Sequence, residues 1–111
     1  SAASDVYKRQ EFSRIDIRVG EIIEAERLPN TEKLLKLRVD LGGEKRTVVA
    51  GIAKFYKPQD LIGKKVLIVV NLKPAKLRGV ISEGMILAAS DGENMVLTTI
   101  DGDIKSGAEV R

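Results

Sequence analysis

The 111-residue chain contains no cysteine, no histidine and no tryptophan. These absences remove thiol nucleophiles, imidazole bases, zinc sites and disulfide frameworks from consideration. Metals that take oxygen ligands, such as Mg²⁺ and Ca²⁺, stay open on composition alone. However, Asp91 before Gly92, and Asp101 and Asp103 around Gly102, are too sparse for a calcium loop, which needs about six oxygen donors. They read as turns. No carboxylate pair comes with a base or a pocket signature, so neither a hydrolytic site nor a cofactor is expected. Long apolar runs are also missing. The longest, residues 66–70, falls far short of the ~20 residues of a membrane span. Residues 1–11 are polar and carry no apolar signal segment. The lack of cysteine fits a cytoplasmic location, and no membrane partner is expected.

Apolar residues make up 43% of the chain and charged residues 32%, the balance of a folded domain. The length suits a single domain over residues 1–111. The net charge of +3 conceals a strong asymmetry. Residues 1–32 carry five basic and seven acidic side chains, residues 33–78 twelve basic and three acidic, and residues 79–111 two basic and six acidic. A block of net +9 thus lies between acidic ends. Such a block is either a polyanion footprint or a set of lysines solvating strand surfaces.

Residues 5–12 suit a short helix capped by Ser4. Ile15, Ile17 and Val19 alternate with polar residues as a half-buried strand does, and Gly20 breaks the phase. A bulge or bend at Gly20 would let one long strand serve two sides of a small barrel. Leu28-Pro29-Asn30 is a turn. Leu35, Leu37, Val39 and Leu41 form a second strand with a basic outer face, and Gly42-Gly43 turns it into a third over residues 44–50. Residues 52–61 are the best internal helix candidate, interrupted by Pro58. Strands are expected at 65–71, 85–89 and 94–100, with a basic loop at 73–82 and a closing segment at 104–110. The expected fold is all-β: an OB-fold, a five-stranded Greek-key barrel with a short helix between its third and fourth strands and extra C-terminal strands. Another small β-barrel, such as an SH3-like one, is the alternative.

A set of spaced motifs runs along this frame. Asp16-Ile17-Arg18-Val19-Gly20 opens it, then Lys33-Leu34-Leu35-Lys36-Leu37, Val48-Val49-Ala50-Gly51-Ile52 and Tyr56-Lys57-Pro58. Asn71-Leu72-Lys73-Pro74, Lys76-Leu77-Arg78-Gly79 and Ser82-Glu83-Gly84-Met85 follow. The set resembles the tRNA-binding domain found as a stand-alone bacterial tRNA-binding protein and at the C-terminus of methionyl-tRNA synthetase. It is also similar to the C-terminal domain of endothelial monocyte-activating polypeptide II. The resemblance covers residues 12–111. It implies an OB-fold that binds the outer corner of tRNA by shape, without reading base sequence and without catalysis. It further implies a homodimer built partly from residues 91–111, with Val96, Leu97, Ile100, Ile104 and Val110 as candidate apolar contacts. The methionyl-tRNA synthetase catalytic region is a candidate partner. A CsaA-like peptide-binding chaperone module and a bare dimerisation appendage are the alternatives.

Lys73, Lys76 and Arg78 are the leading RNA-binding candidates: three cations within six positions, stiffened by Pro74 and suited to phosphates. Ser82 either donates to a phosphate or ribose hydroxyl or braces its own turn. Met85 either touches a base or ribose or fills the core. Asn71 either contacts RNA or ends its strand. Lys33, Lys36 and Arg38 would extend the footprint. The four aromatics, Tyr7, Phe12, Phe55 and Tyr56, fall outside every expected strand. Single-strand binders stack bases on strand-borne aromatics, so folded RNA suits this chain better. Phe55 and Tyr56 are expected to pack the short helix onto the barrel.

Overall fold

Alternation of apolar and charged residues over 35–41, closed by Gly42-Gly43, makes the hairpin on which the domain is built. The computed structural model describes residues 14–111, so the helix expected over 5–12 lies outside the described residues. In it β2 (Leu35–Asp40) pairs with β3 (Lys45–Ala50), with Leu35, Leu37, Val39 and Val48 fully buried. β2 also pairs with β1 (Ile17–Arg27), which pairs in turn with β4 (Lys65–Val69), and β4 with β7 (Met85–Ile86). The sheet order is therefore β3-β2-β1-β4-β7, antiparallel throughout. Two small hairpins stand beside it: β5 (Ala75–Leu77) with β6 (Val80–Ser82), and β8 (Ala88–Ser90) with β9 (Met95–Leu97). β10 (Glu109–Val110) joins β1 at Ile17 and Arg18.

The two ends of this sheet meet. β3 runs beside β6 and β7, and the Glu83 N–H donates to Thr47 O at 2.8 Å. The Ser82 hydroxyl accepts the Val49 N–H at 3.0 Å and donates to Gly84 O. Arg46 donates to the carbonyls of Val70 and Glu83 from inside the same seam. The result is a nearly closed, OB-like barrel. Its core holds Ile22, Leu35, Leu37, Val39, Val48, Leu61, Val66 and Ile68. No described helix is long and apolar enough to cross a membrane.

One long strand does serve two sides of the barrel, but Gly20 is not its bulge. Gly20 stays in register opposite Val66, and the shift falls between Ile22 and Glu24. Gly20 is glycine because a Cβ there would come within 2.4 Å of Val39 Cγ1. By the period of two, Ile17 and Val19 face away from Gly20 and Ile22. Both are buried outside the central core cluster, so this half of β1 is covered on two faces.

The helix expected over 52–61 is replaced by turns, with a single 3₁₀ turn at Pro58–Asp60. The Ile52 carbonyl takes the N–H groups of Phe55 and Tyr56 in a single turn, and Pro58, which has no N–H to give the Lys54 carbonyl, does not continue it as a helix. Tyr56 packs on the core and its hydroxyl accepts the Leu97 N–H at 3.0 Å, whereas Phe55 is exposed.

The C-terminal segment is part of the barrel. Val19 N–H donates to Ala108 O and Gly107 N–H to Val19 O, at 2.9 and 2.7 Å. Gly107 lies so close to the β2–β3 turn that a Cβ on it would stand 2.2 Å from Leu41 O. Of the apolar residues expected at an interface, Val96 and Ile104 are exposed, Ile100 and Val110 are half-buried, and Leu97 packs on its own core.

Candidate nucleic-acid interface

Residues 73–82 do not form a plain loop. Residues 75–82 are the β5–β6 hairpin, with Lys73 and Pro74 leading into it, and Leu77 pairs with Val80 across the two-residue turn Arg78-Gly79. Both turn residues have positive φ, 51° at Arg78 and 84° at Gly79, as a type I′ turn requires. Lys76 sits opposite Ile81, and both are exposed. Ala75 sits opposite Ser82, which is only 5% exposed and anchors the hairpin to β3 through Val49. The hairpin is therefore fixed at its base and carries its cations outward. Lys73, Lys76 and Arg78 make no side-chain hydrogen bond or ion pair among the described residues.

The β1–β2 connection comes to meet the hairpin tip. Pro29 and then Asn30, with φ 64°, turn the chain, and Leu28 N–H to Leu34 O closes the loop at 3.2 Å. The Thr31 hydroxyl accepts the Lys33 N–H, and Lys33 O takes the Ala53 N–H. Asn30, Thr31, Glu32, Lys33 and Arg78 together line an open cleft of about 550 Å³. Two cations 45 positions apart in sequence thus share one site, Lys33 from the turn and Arg78 from the hairpin.

The other candidates lie elsewhere. Lys36 and Arg38 line a second cleft of about 500 Å³ on the outer faces of β1 and β2. Both are engaged there, Lys36 with Glu26 at 3.7 Å and Arg38 with Thr47 Oγ1 at 3.0 Å. Met85 is exposed beside an apolar groove of about 380 Å³ lined by Val49, Ile52, Ile86 and Met95, so it does not fill the core. Asn71 is spent as a clasp, accepting the Asp16 N–H and donating to Arg14 O. Ser82 braces its own turn, the second of the two roles open to it, and is buried away from the hairpin's outer face. Arg46 was not singled out from sequence, because nothing in its neighbourhood marks it as the seam residue. Asp16 holds the Arg18 guanidinium, through paired hydrogen bonds and its charge, above the ordinary value.

An OB-like barrel that carries a braced cationic hairpin, with no aromatic in any described strand, has the build of a nucleic-acid-binding module without a base-stacking row. The sequence matches the family described as "Putative tRNA binding domain" over residues 17–109, and the chain belongs to that family. It is 64% identical over 101 residues to a methionine–tRNA ligase of Methanocaldococcus jannaschii, covering 90% of this chain and 16% of that enzyme. To the Thermotoga maritima methionine–tRNA ligase it is 50% identical over 110 residues, covering 99% of this chain and 18% of the enzyme. The chain therefore spans about a sixth of the length of these relatives. Among solved structures it resembles a MetRS-related protein from Pyrococcus horikoshii, with a TM-score of 0.88 at 41% identity, covering 93% and 95% of the two chains. The chaperone CsaA of Bacillus anthracis superposes with a TM-score of 0.85 at 28% identity, covering 93% and 96%.

Proposed function

We propose that this domain binds tRNA through its phosphates and folded shape, independently of base sequence. It acts as a homodimer, carries no catalysis of its own, and works either free-standing or joined to a methionine–tRNA ligase. The observation that carries this reading is the braced β5–β6 hairpin, which holds Lys76 and Arg78 outward with Lys73 just before it, all three exposed and without partners of their own among the described residues. Such cations serve a polyanion, and their contacts carry no base information. The family membership and the ligase relatives favour tRNA as that polyanion. Exposed Val96 and Ile104 support the dimer.

The test is a titration of several tRNAs at two salt concentrations, with the mass of the complex measured by sedimentation. A Lys73→Ala/Lys76→Ala/Arg78→Ala variant is expected to bind every tRNA more weakly, in the same proportion, with a shallower salt dependence. Unchanged binding by this variant would sink the site assignment, and a monomeric complex would sink the dimer.

The apolar groove beside Met85, together with the likeness to CsaA, favours a second reading as a peptide-binding module. Parallel titrations with tRNA and an unfolded peptide separate the two: binding of peptide but not tRNA replaces the first reading with the second.

A further inference from the structure

The cleft between the β1–β2 turn and the hairpin tip has a mixed lining that phosphate alone does not explain. Lys33 and Arg78 supply two cations. The same cleft is lined by Glu32, whose carboxylate accepts hydrogen bonds only, and Asn30, whose amide both accepts and donates. Neither side chain has a hydrogen-bond or ion-pair partner among the described residues. The Thr31 oxygen already accepts the Lys33 N–H, which leaves its O–H free to donate. A carboxylate beside a bound phosphate is repulsive unless the same ligand brings a hydroxyl donor to it. A ligand with an anion and a neighbouring hydroxyl satisfies all five residues, and the ribose-phosphate backbone of RNA is such a ligand.

The backbone supports a site held ready. Asn30 and Arg78 are the two non-glycine residues with left-handed φ among the described residues, and both line this cleft. Asparagine adopts this conformation readily, and at Arg78 the two-residue turn demands it, so both turns hold their place at the cleft.

We propose that this cleft is the subsite by which the domain selects RNA over DNA. Arg78 and Lys33 hold a phosphate, and Glu32 with Asn30 receives the adjacent ribose 2′-hydroxyl. A deoxyribose backbone brings the phosphate without the hydroxyl and leaves Glu32 unpartnered next to negative charge. This rests on the tRNA-binding reading above.

The experiment compares binding of a tRNA transcript with DNA of the same sequence, by fluorescence anisotropy at one salt concentration. The proteins are the parent, Glu32→Gln, Asn30→Gly and Arg78→Asn. Glycine accepts the φ of 64° at position 30, so that variant removes the amide and leaves the turn. The parent is expected to prefer RNA. Glu32→Gln should narrow that preference by about tenfold or more, the scale of one hydrogen bond to a charged group, and Asn30→Gly by about two- to tenfold, the scale of a neutral one. Arg78→Asn should weaken RNA and DNA alike and leave their ratio unchanged. A preference unaltered in Glu32→Gln and Asn30→Gly, with the parent still binding tRNA, overturns the subsite and leaves the tRNA-binding reading standing. A parent that binds RNA and DNA equally does the same. A parent that binds neither overturns both.

Discussion

Replacing Arg78 by asparagine should make the protein more stable and a weaker tRNA binder. Arg78 occupies the first turn position of a two-residue hairpin with φ 51°, a conformation that costs an L-residue with a full side chain ~1–2 kcal/mol. Asparagine tolerates it, and Asn-Gly is the favoured pair for this turn. Asparagine also avoids the chain entropy that a glycine substitution would add to the unfolded state. The expected gain is therefore roughly 1 kcal/mol. A gain of that size raises Tm by about 4–8 °C in domains of up to 100 residues, and by the lower part of that range here. Meanwhile one cation leaves the site. Losing a hydrogen bond to a charged group costs about 1.5–3 kcal/mol, so tRNA affinity should fall by more than tenfold. The log–log salt slope should become shallower by about 0.7–0.9. Urea or thermal unfolding supplies the first readout and an anisotropy titration at several salt concentrations the second. A variant no more stable than the parent would show that the turn is not strained at Arg78. A variant that is stabilised but binds tRNA as before would show that the strain is not kept for binding.

Three further substitutions probe the scaffold. Gly107→Ala places a Cβ 2.2 Å from Leu41 O at a φ of 92°, so urea unfolding should show a loss of more than about 2 kcal/mol. A neutral result would remove the C-terminal segment from the barrel. Ser82→Ala leaves the Val49 N–H unpaired in a buried seam, which should cost about 1–3 kcal/mol while the folded protein keeps its tRNA affinity. A loss of affinity at unchanged stability would return Ser82 to the RNA surface. The Asp91 carboxylate accepts the N–H groups of Asn94 and Glu93, which hold it below the usual carboxylate range. Its stabilisation of the β8–β9 turn is full above the unfolded value of about 3.9 and disappears as pH falls through the lower folded value. Acid unfolding of the parent should thus show a loss below about pH 4 that is missing in Asp91→Asn, and superimposable curves would refute it.

The strands that were legible in the sequence are those with clean alternation between strong turn signals. β2 and β3 are the best case, because Leu35, Leu37 and Val39 alternate and Gly42-Gly43 ends the run. The β5–β6 hairpin was hidden because its turn is Arg78-Gly79, which carries no asparagine or aspartate to mark φ above zero. The helix over 52–61 failed for the opposite reason: its apolar spacing suggests a helix, but Pro58 interrupts the hydrogen bonds that spacing needs. Gly20 reads as a break from its neighbours alone. Its cause is Val39, which lies on another strand and is invisible to any local pattern. At the site, Lys73, Lys76 and Arg78 were legible as a cluster. Asn30 and Glu32 were not, since only the fold brings that turn against the hairpin tip.

The same distinction changes what the charge means. The +9 block over residues 33–78 counts Arg46, Arg38, Lys36 and Lys65 equally with the rest. Arg46 bonds two seam carbonyls, Arg38 holds Thr47, Lys36 faces Glu26, and Lys65 bonds the Ile104 carbonyl. These four are occupied with the barrel. Lys33, Lys73, Lys76 and Arg78 remain around the hairpin and its cleft without such ties among the described residues. Four phosphate contacts at about 0.7–0.9 each give a salt slope near −3 for one protomer, and near −6 if two protomers grip one tRNA. Were all twelve cations of the block a footprint, two protomers would give a slope beyond about −16. Lys45, Lys54, Lys57 and Lys64 are also without side-chain ties among the described residues, so the slope decides whether tRNA is held by the face as a whole or by the hairpin and its cleft.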